Sequence, residues 1–183
     1  PLPSISTLFP TRRSSDLKNC HMSIRIFVTG GTFDKEYDML TGNLYFRDSH
    51  IKEILGLGRS LVDVRITTLM MVDSLEMTED DRQMILFNCQ KCKEDKIVIT
   101  HGTDNIANTA KMLGDAKIPK TIVLTGAMIP YKFGSSDGLF NLGSSLAFVQ
   151  SLPHGPYVSM NGMYFDHNNV RNNKKLGVFE TLE

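Results

Sequence analysis

The amino-acid sequence predicts one α/β domain built around a mainly parallel β-sheet. Short runs of β-branched and other apolar residues, typical of strands buried on both faces, alternate along the chain with segments of helical periodicity. Three of these runs open into loops of threonine and glycine at their carboxyl ends. A length of 183 residues is enough for one domain with a sizeable core.

The helices and strands can be placed in order from their residue patterns. Thr78 is a good amino-terminal cap, and three acids at 79–81 follow it, where the positive end of a helix dipole would lie. Aliphatic residues also recur at helical spacing between 139 and 149. The predicted strands are 25–28, 61–70, 97–99, 121–124 and 157–160, and the predicted helices are 49–57, 79–92, 106–116 and 137–152.

Two stretches inside the domain lack a regular period. Residues 30–48 are rich in glycine, aspartate, threonine and asparagine, and we interpret them as a long loop. Loops of such length in compact domains often serve as lids or binding loops. A second polar stretch, 166–175, follows the strand at 157–160, which we expect to be the last strand.

The amino-terminal residues differ from the rest of the chain. Residues 1–21 contain three prolines and scattered serines, with no sustained helical or strand period. Met22 directly precedes the first predicted strand. We interpret 1–21 as an extraneous or disordered extension, with a targeting arm as the alternative, and 22–183 as the domain.

Composition narrows the classes of partner. Lys+Arg and Asp+Glu number 20 each, so a polyanion or a membrane surface is not implied as a partner. No run of about 18 apolar residues could span a bilayer, and three cysteines, an odd number, fit a reduced protein better than a disulfide scaffold. We expect a cytoplasmic protein that binds neither nucleic acid nor membrane.

Cys89 and Cys92 form a CxxC motif in the last turns of a predicted helix. Redox CxxC motifs use a helix amino terminus to lower the pKa of a thiol, and structural zinc needs a second pair of ligands. Neither feature accompanies this motif. We therefore predict that it packs the helix, and we expect no metal site.

The three threonine and glycine loops are TGGT at 29–32, HGTD at 101–104 and TGAM at 125–128. Ligands of open α/β sheets bind outside the carboxyl ends of the strands, so the three loops predict one composite site. Each motif alone is weak, because Gly-Gly-Thr also forms ordinary turns or phosphate-cradling loops. Likewise, Asp104 could simply cap a helix, and His101 could be a satisfied buried histidine.

With SSDG following TGAMIP, the order and spacing of these motifs resemble the amino-terminal domain of the bacterial-type asparaginases and glutaminases. The resemblance runs from about residue 24 to about residue 179. It implies a three-layer, doubly wound, flavodoxin- or Rossmann-like domain without the family's smaller carboxyl-terminal domain. It also implies hydrolysis of a small-molecule amide such as L-asparagine, no cofactor, and assembly into homo-oligomers, either dimers or tetramers.

The resemblance also assigns roles to particular residues. It makes Thr32 the acylated nucleophile, and it has Thr103 and Asp104 polarise and bind the substrate. A threonine hydroxyl is a poor nucleophile until its proton is removed, and bent backbone near Thr32 could supply N–H groups to an oxyanion. The expected substrate-binding residues are Gly31, Ser74, Gly102 and Ala127, with Ser74 holding an α-carboxylate.

Three further positions show where this chain follows or leaves the family pattern. Tyr37 best matches a flap tyrosine that assists the nucleophile, with Tyr45 as a second candidate and simple packing as the other interpretation. Leu75 replaces a polar substrate-binding residue. The proton-relay lysine falls at Asn172, which cannot carry a proton as an ammonium does. Lys174 or Lys175 could replace it, and we assign the catalytic role to Lys174.

Two functional hypotheses follow. The first is an amidohydrolase that releases ammonia from a side-chain carboxamide through an acyl-Thr32 intermediate. The second is a non-catalytic module of the same fold that binds a small amino acid or a protein partner. Nucleotide binding at TGGT is set aside, because no GxGxxG or GxxxxGK[ST] motif follows a strand.

Overall fold

Helices and strands alternate along most of the chain. The structure is a computed structural model that describes residues 23–182, so the predicted extension at 1–21 lies outside the described residues. The elements are, in order, β1 (Ile24–Gly30), β2 (Lys35–Tyr37), β3 (Leu44–Phe46), α1 (Ile51–Leu57), β4 (Val64–Val72), α2 (Glu79–Lys91), β5 (Lys96–Thr100), α3 (Ile106–Asp115), β6 (Thr121–Thr125), α4 (Gly138–Ser151), β7 (Gly155–Met160), β8 (Met163–Asp166), β9 (Arg171–Asn173) and β10 (Val178–Glu180).

A six-stranded sheet forms the middle layer, with the order β4-β1-β5-β6-β7-β8. The first five strands in this order pair in parallel, and β8 adds to β7 in the antiparallel direction. From β1 the chain moves outward to β4 and then crosses to β5 on the other side of β1. The strand order therefore reverses between β1 and β5, which is the switch point at which doubly wound folds bind ligands.

Helices cover both faces of the sheet, and each face has its own core. Alternate residues of β5 point to opposite faces, with Ile97 and Ile99 in one cluster and Val98 in the other. The first cluster includes α2 and α3 side chains, and the second includes α1 and α4 side chains. This arrangement is the predicted three-layer, doubly wound fold.

All five predicted strands and all four predicted helices are present, with ends that differ by at most three residues. The predicted cap of α2 is also confirmed. The Thr78 side chain accepts from the Asp81 N–H, and the Asp81 carboxylate accepts from the Thr78 N–H at 2.8 Å. This reciprocal capping box satisfies two backbone donors at the start of the helix.

Two loop predictions were wrong. Residues 30–48 contain the antiparallel hairpin β2–β3, in which Tyr37 pairs with Leu44. Three strands, β8 to β10, follow the strand expected to be last. The tight turn before β8 has positive φ at both Asn161 (56°) and Gly162 (76°), as an Asn-Gly hairpin turn requires.

Candidate active site

The loops after β1 and β5 lie beside each other at the switch point of the sheet. β1 and β5 are hydrogen-bonded neighbours, with Val28 opposite Thr100, so the chain leaves both strands at the same edge. Thr32 begins a short 3-10 turn after β1, and Thr103 follows β5. The fold therefore brings the TGGT and HGTD motifs together, as the sequence predicted.

Gly31 and Gly102 allow the two loops to touch through their backbones. Gly31 has a φ of 76° and donates its N–H to the Val72 carbonyl oxygen at 2.9 Å. A methyl group on its Cα would overlap the backbone of Gly102. Because both the positive φ and the close approach favour glycine, this position fixes Thr32 next to the HGTD loop.

Ser74 closes the other side of the HGTD loop. It is buried, and a methyl group on Gly102 would overlap the Ser74 hydroxyl. The Asn105 amide donates to the Ser74 carbonyl oxygen at 2.6 Å and holds the loop in place. Within residues 23–182 the Ser74 hydroxyl has no hydrogen-bond partner. A buried hydroxyl of this kind is costly, so it marks a position where a ligand could supply the missing partner.

Thr103 and Asp104 follow the glycine of the HGTD loop and differ in exposure. Thr103 is buried, whereas the Asp104 side chain is 31% exposed and pairs with the Lys174 ammonium at 2.5 Å. The capping alternative for Asp104 was wrong, because the N-cap residue of α3 is Asn105. The loop thus presents a hydroxyl beside a carboxylate and an ammonium group.

Asn172 lies against the Thr103 backbone. Its Nδ2 donates to the Thr103 carbonyl oxygen at 3.3 Å, and its Oδ1 is buried without a partner in the part of the chain that the structure describes. The position that the family resemblance assigns to the relay lysine is therefore next to Thr103. Two residues later, in the turn that follows β9, the Lys174 ammonium pairs with Asp104.

The loop after β6 approaches from the other side of β5. A methyl group on Gly126 would overlap the His101 carbonyl oxygen and would also press on the Thr103 methyl group. Ala127 follows and is fully buried. The third threonine and glycine loop therefore contacts the HGTD loop, which also contacts the predicted residues Gly31 and Ser74.

Two side chains hold this third loop, one from Asp137, the N-cap residue of α4, and one from Asn141 within α4. The Asp137 carboxylate accepts the backbone N–H groups of Met128 at 3.0 Å and Ile129 at 3.1 Å. The Asn141 amide donates to the Gly126 carbonyl oxygen at 3.0 Å. The SSDG motif contains Asp137 but predicts no role for it, and no sequence signal marks Asn141, whose contact depends on the packing of α4.

His101 is a buried histidine whose ring nitrogens both have partners. Its Nε2 lies 2.9 Å from the Thr109 hydroxyl, and its Nδ1 lies 2.9 Å from the Gly102 carbonyl oxygen. Burial lowers the pKa of its imidazole to about 4. The satisfied-histidine alternative is therefore confirmed, and His101 is neutral near pH 7.

The two candidate flap tyrosines lie on the hairpin β2–β3. Tyr37 is 53% exposed and lies near Gly42 in the turn of that hairpin. The Tyr45 hydroxyl donates to the Glu36 carboxylate at 3.2 Å. A contact between Tyr37 and Thr32 thus stays a prediction.

Sequence reasoning missed two charged residues that join the turn of Thr32 to the rest of the fold. Asp34 is fully buried, accepts the His50 N–H at 2.9 Å, and has its pKa raised to about 6 by burial. Lys35 forms an ion pair with Asp73, the residue before Ser74. Neither pairing has a local sequence signal, because the partners are distant along the chain.

The two cysteines of the CxxC motif pack in or against the hydrophobic core. Cys89 is buried within α2, where burial raises the pKa of its thiol to about 12, and Cys92 is the carboxyl-terminal cap residue. These features agree with the packing interpretation. Across residues 23–182, no group of three or more His, Cys, Asp or Glu side chains is arranged to hold a metal ion.

The comparisons with known proteins agree with this geometry. The sequence profile of the family described as "Asparaginase, N-terminal" matches residues 23–180. The chain belongs to the asparaginase family. Among curated relatives, L-asparaginase 2 of Escherichia coli is 40% identical over 82 residues, which cover 43% of this chain and 24% of that protein. The probable periplasmic L-asparaginase of Haemophilus influenzae is 28% identical over 159 residues, which cover 81% of this chain and 44% of that protein.

Solved asparaginase structures share the fold. The thermostable L-asparaginase from Thermococcus kodakarensis superposes with a TM-score of 0.75 at 27% identity, over 87% of this chain and 51% of that chain. The probable cytoplasmic L-asparaginase from Campylobacter jejuni superposes with a TM-score of 0.75 at 28% identity, over 87% of this chain and 52% of that chain. The chain thus spans about half the length of the solved relatives, and less than half of the two curated ones.

The helices of the domain are short and partly polar. Between residues 23 and 182, none combines the length and the hydrophobicity that crossing a bilayer requires.

Proposed function

We propose that this chain hydrolyses the side-chain carboxamide of an asparagine-like substrate to a carboxylate and ammonia, with Thr32 as the nucleophile. Membership of the asparaginase family supports an amidohydrolase function. The observation that carries the proposal is the backbone contact of Gly31 with Gly102, which brings the TGGT loop to the HGTD loop and Ser74 at the switch point of the sheet.

In the first half-reaction, the Thr32 Oγ attacks the carboxamide carbon. Its proton passes through the Thr103 hydroxyl to Lys174, which can accept it once the Lys174 ammonium has given a proton to Asp104, its ion-pair partner at 2.5 Å. The carbon–nitrogen bond then breaks, the nitrogen takes up a proton, and ammonia leaves an ester on Thr32. Backbone N–H groups beside the positive-φ glycine Gly31 would stabilise the oxyanion.

In the second half-reaction, water attacks the Thr32 ester. The acyl carbon–oxygen bond breaks, the carboxylic acid product forms, and the proton returns to the Thr32 hydroxyl. The proton of the attacking water passes to the same pair of Asp104 and Lys174, which our proposal makes the base of this step. Lys174 therefore takes the relay role that the family gives to a lysine at Asn172.

The test is ammonia release by the purified chain from L-asparagine, D-asparagine, L-glutamine and a small uncharged amide. Thr32→Ala removes the hydroxyl, and Thr32→Ser is the matched control that keeps one. We expect Thr32→Ala to lower turnover at least about a hundredfold with the fold intact, and Thr32→Ser to retain measurable turnover. The amide that is hydrolysed fastest identifies the substrate.

Residual turnover of Thr32→Ala near the parent level would overturn the nucleophile assignment. No ammonia from the parent with any of the four amides would overturn the amidohydrolase proposal. Binding of an amino acid without turnover would then favour the non-catalytic module.

Cytoplasmic location and assembly into homo-oligomers are part of the same proposal. The named relatives include one described as periplasmic and one described as cytoplasmic, so location varies among the relatives. Light scattering of the purified chain would measure the assembly, and a monomer at working concentration would exclude the homo-oligomer.

A further inference from the structure

Lys35 connects the nucleophile turn to the loop that carries Ser74. Its backbone N–H donates to the Thr32 carbonyl oxygen, and its ammonium group pairs with the Asp73 carboxylate. The Lys35 side chain is only 17% exposed, and the ammonium also lies 5.8 Å from the centre of the Phe46 ring. The ion pair and the ring contact together hold this cation beside the loop that carries Ser74.

Ser74 directly follows Asp73, the residue whose carboxylate pairs with this cation. Asp73 accepts the Leu75 N–H at 3.0 Å with one carboxylate oxygen and contacts Lys35 with the other. The Ser74 hydroxyl, one residue away, is buried and lacks a partner within residues 23–182. Contacts run from Thr32 through Lys35, Asp73 and Ser74 to the HGTD loop.

We propose that Lys35 determines specificity by recognising a free carboxylate on the ligand, together with the Ser74 hydroxyl. This inference rests on the proposed function, because it assigns the carboxylate end of the same substrate. Leu75, which is 68% exposed, offers no polar side chain at this point. The Lys35 ammonium supplies the donor that Leu75 lacks, and the ligand carboxylate shares it with Asp73.

The proposal predicts opposite effects for the two members of one ion pair. Lys35→Met removes the cation, so the affinity for a carboxylate ligand falls. Asp73→Asn removes the charge that competes for Lys35, while the new amide oxygen can still accept the Leu75 N–H. The affinity then rises. In a purely structural ion pair, both substitutions would disturb the loop and weaken binding.

The experiment is calorimetric titration of the purified chain with L-aspartate, the product of asparagine hydrolysis, which needs no turnover. We expect Lys35→Met to weaken binding about tenfold or more, Lys35→Arg to stay within about threefold of the parent, and Asp73→Asn to bind at least about twofold more tightly. Lys132→Met is the matched control, because Lys132 pairs with Glu53 at 2.7 Å elsewhere on the surface and should leave binding unchanged.

Weakening by both Lys35→Met and Asp73→Asn, or no effect of Lys35→Met, would overturn the inference. No binding of L-aspartate by the parent would also overturn it. Ammonia release measured on the same preparation separates the two proposals. If the chain releases ammonia and Lys35→Met has no effect on binding, only the inference about Lys35 is overturned. If L-aspartate binding depends on Lys35 but no ammonia is released, only the amidohydrolase proposal is overturned.

Discussion

The side-chain amide of Asn172 donates a hydrogen bond to the backbone carbonyl oxygen of Thr103 at 3.3 Å. Its Oδ1 is buried and has no partner in the described range 23–182. Asn172 lies on β9, opposite Phe179 of β10, so the β9–β10 hairpin delivers a neutral side chain where the family resemblance expects a lysine. Because asparagine cannot carry a relayed proton, this contact predicts a weakened proton relay.

Substituting Asn172 with lysine should strengthen the relay. An ammonium group at this position would lie next to Thr103, and general acid–base assistance is worth about a hundredfold or more when well placed. We expect Asn172→Lys to raise kcat for ammonia release at least about tenfold. Asn172→Gln is the matched neutral control and should produce no such rise. An equal change in both variants would contradict the relay interpretation.

Removing Lys174 should lower activity without unfolding the chain. The ion pair of Lys174 with Asp104 is largely exposed, with side-chain exposures of 67% and 31%, so its loss should cost no more than about 1 kcal/mol of unfolding free energy. We expect Lys174→Ala to lower kcat about a hundredfold and Lys175→Ala, its exposed neighbour, to change kcat less than twofold. Ammonia release and urea unfolding measure the two effects. A similar loss in both variants would contradict the assignment of Lys174.

The central fold was predictable because its signals are local. The β-branched runs of β1, β5 and β6 identify buried strands, and the threonine and glycine loops that follow them must meet at one edge of a parallel sheet. The cap at Thr78 likewise depends on residues within one turn of helix. Such features depend on residues that are close together in the sequence, so the sequence alone can predict them.

The parts that escaped prediction depend on tertiary contacts or on very short strands. β2, β3, β9 and β10 have three residues each, too few for a period-two pattern to stand out. The contact between Lys35 and Asp73 joins residues 38 apart in the chain, and the contact between Asn172 and Thr103 joins residues 69 apart. Neither pair leaves a sequence pattern.

The buried carboxyl of Asp34 should make stability depend on pH in an unusual direction. Burial raises its pKa from 3.8 to about 6, so the folded chain retains this proton at a pH where the unfolded chain has released it. The contribution of Asp34 to the unfolding free energy therefore decreases as the pH rises from about 4, and the loss is complete above about 6. A shift of this size corresponds to about 3 kcal/mol.

We expect Asp34→Asn to become more stable than the parent as the pH rises from 4 to 7, with the gain levelling off above about 6. Urea unfolding at several pH values, taken as the difference between variant and parent, isolates Asp34. Asp38→Asn is the control, because hydrogen bonds from Thr41 and Leu40 lower the pKa of Asp38 below its ordinary value of 3.8, so the difference between this variant and the parent should stay nearly flat from pH 4 to 7. A flat difference for Asp34→Asn would show that its carboxyl is not perturbed by burial.

Gly31 should be one of the glycines at which substitution by alanine is most destabilising, since it combines a positive φ with backbone contact to Gly102. Alanine at this position would add left-handed strain to steric overlap, so we expect Gly31→Ala to cost about 2–5 kcal/mol of unfolding free energy. Gly143 is the matched control, because it lies within α4 and a methyl group there would meet nothing within 4 Å. Gly143→Ala should therefore stabilise the chain by up to about 1 kcal/mol. Similar urea midpoints for the two variants would mean that the loops of Thr32 and Thr103 are not held together by this contact.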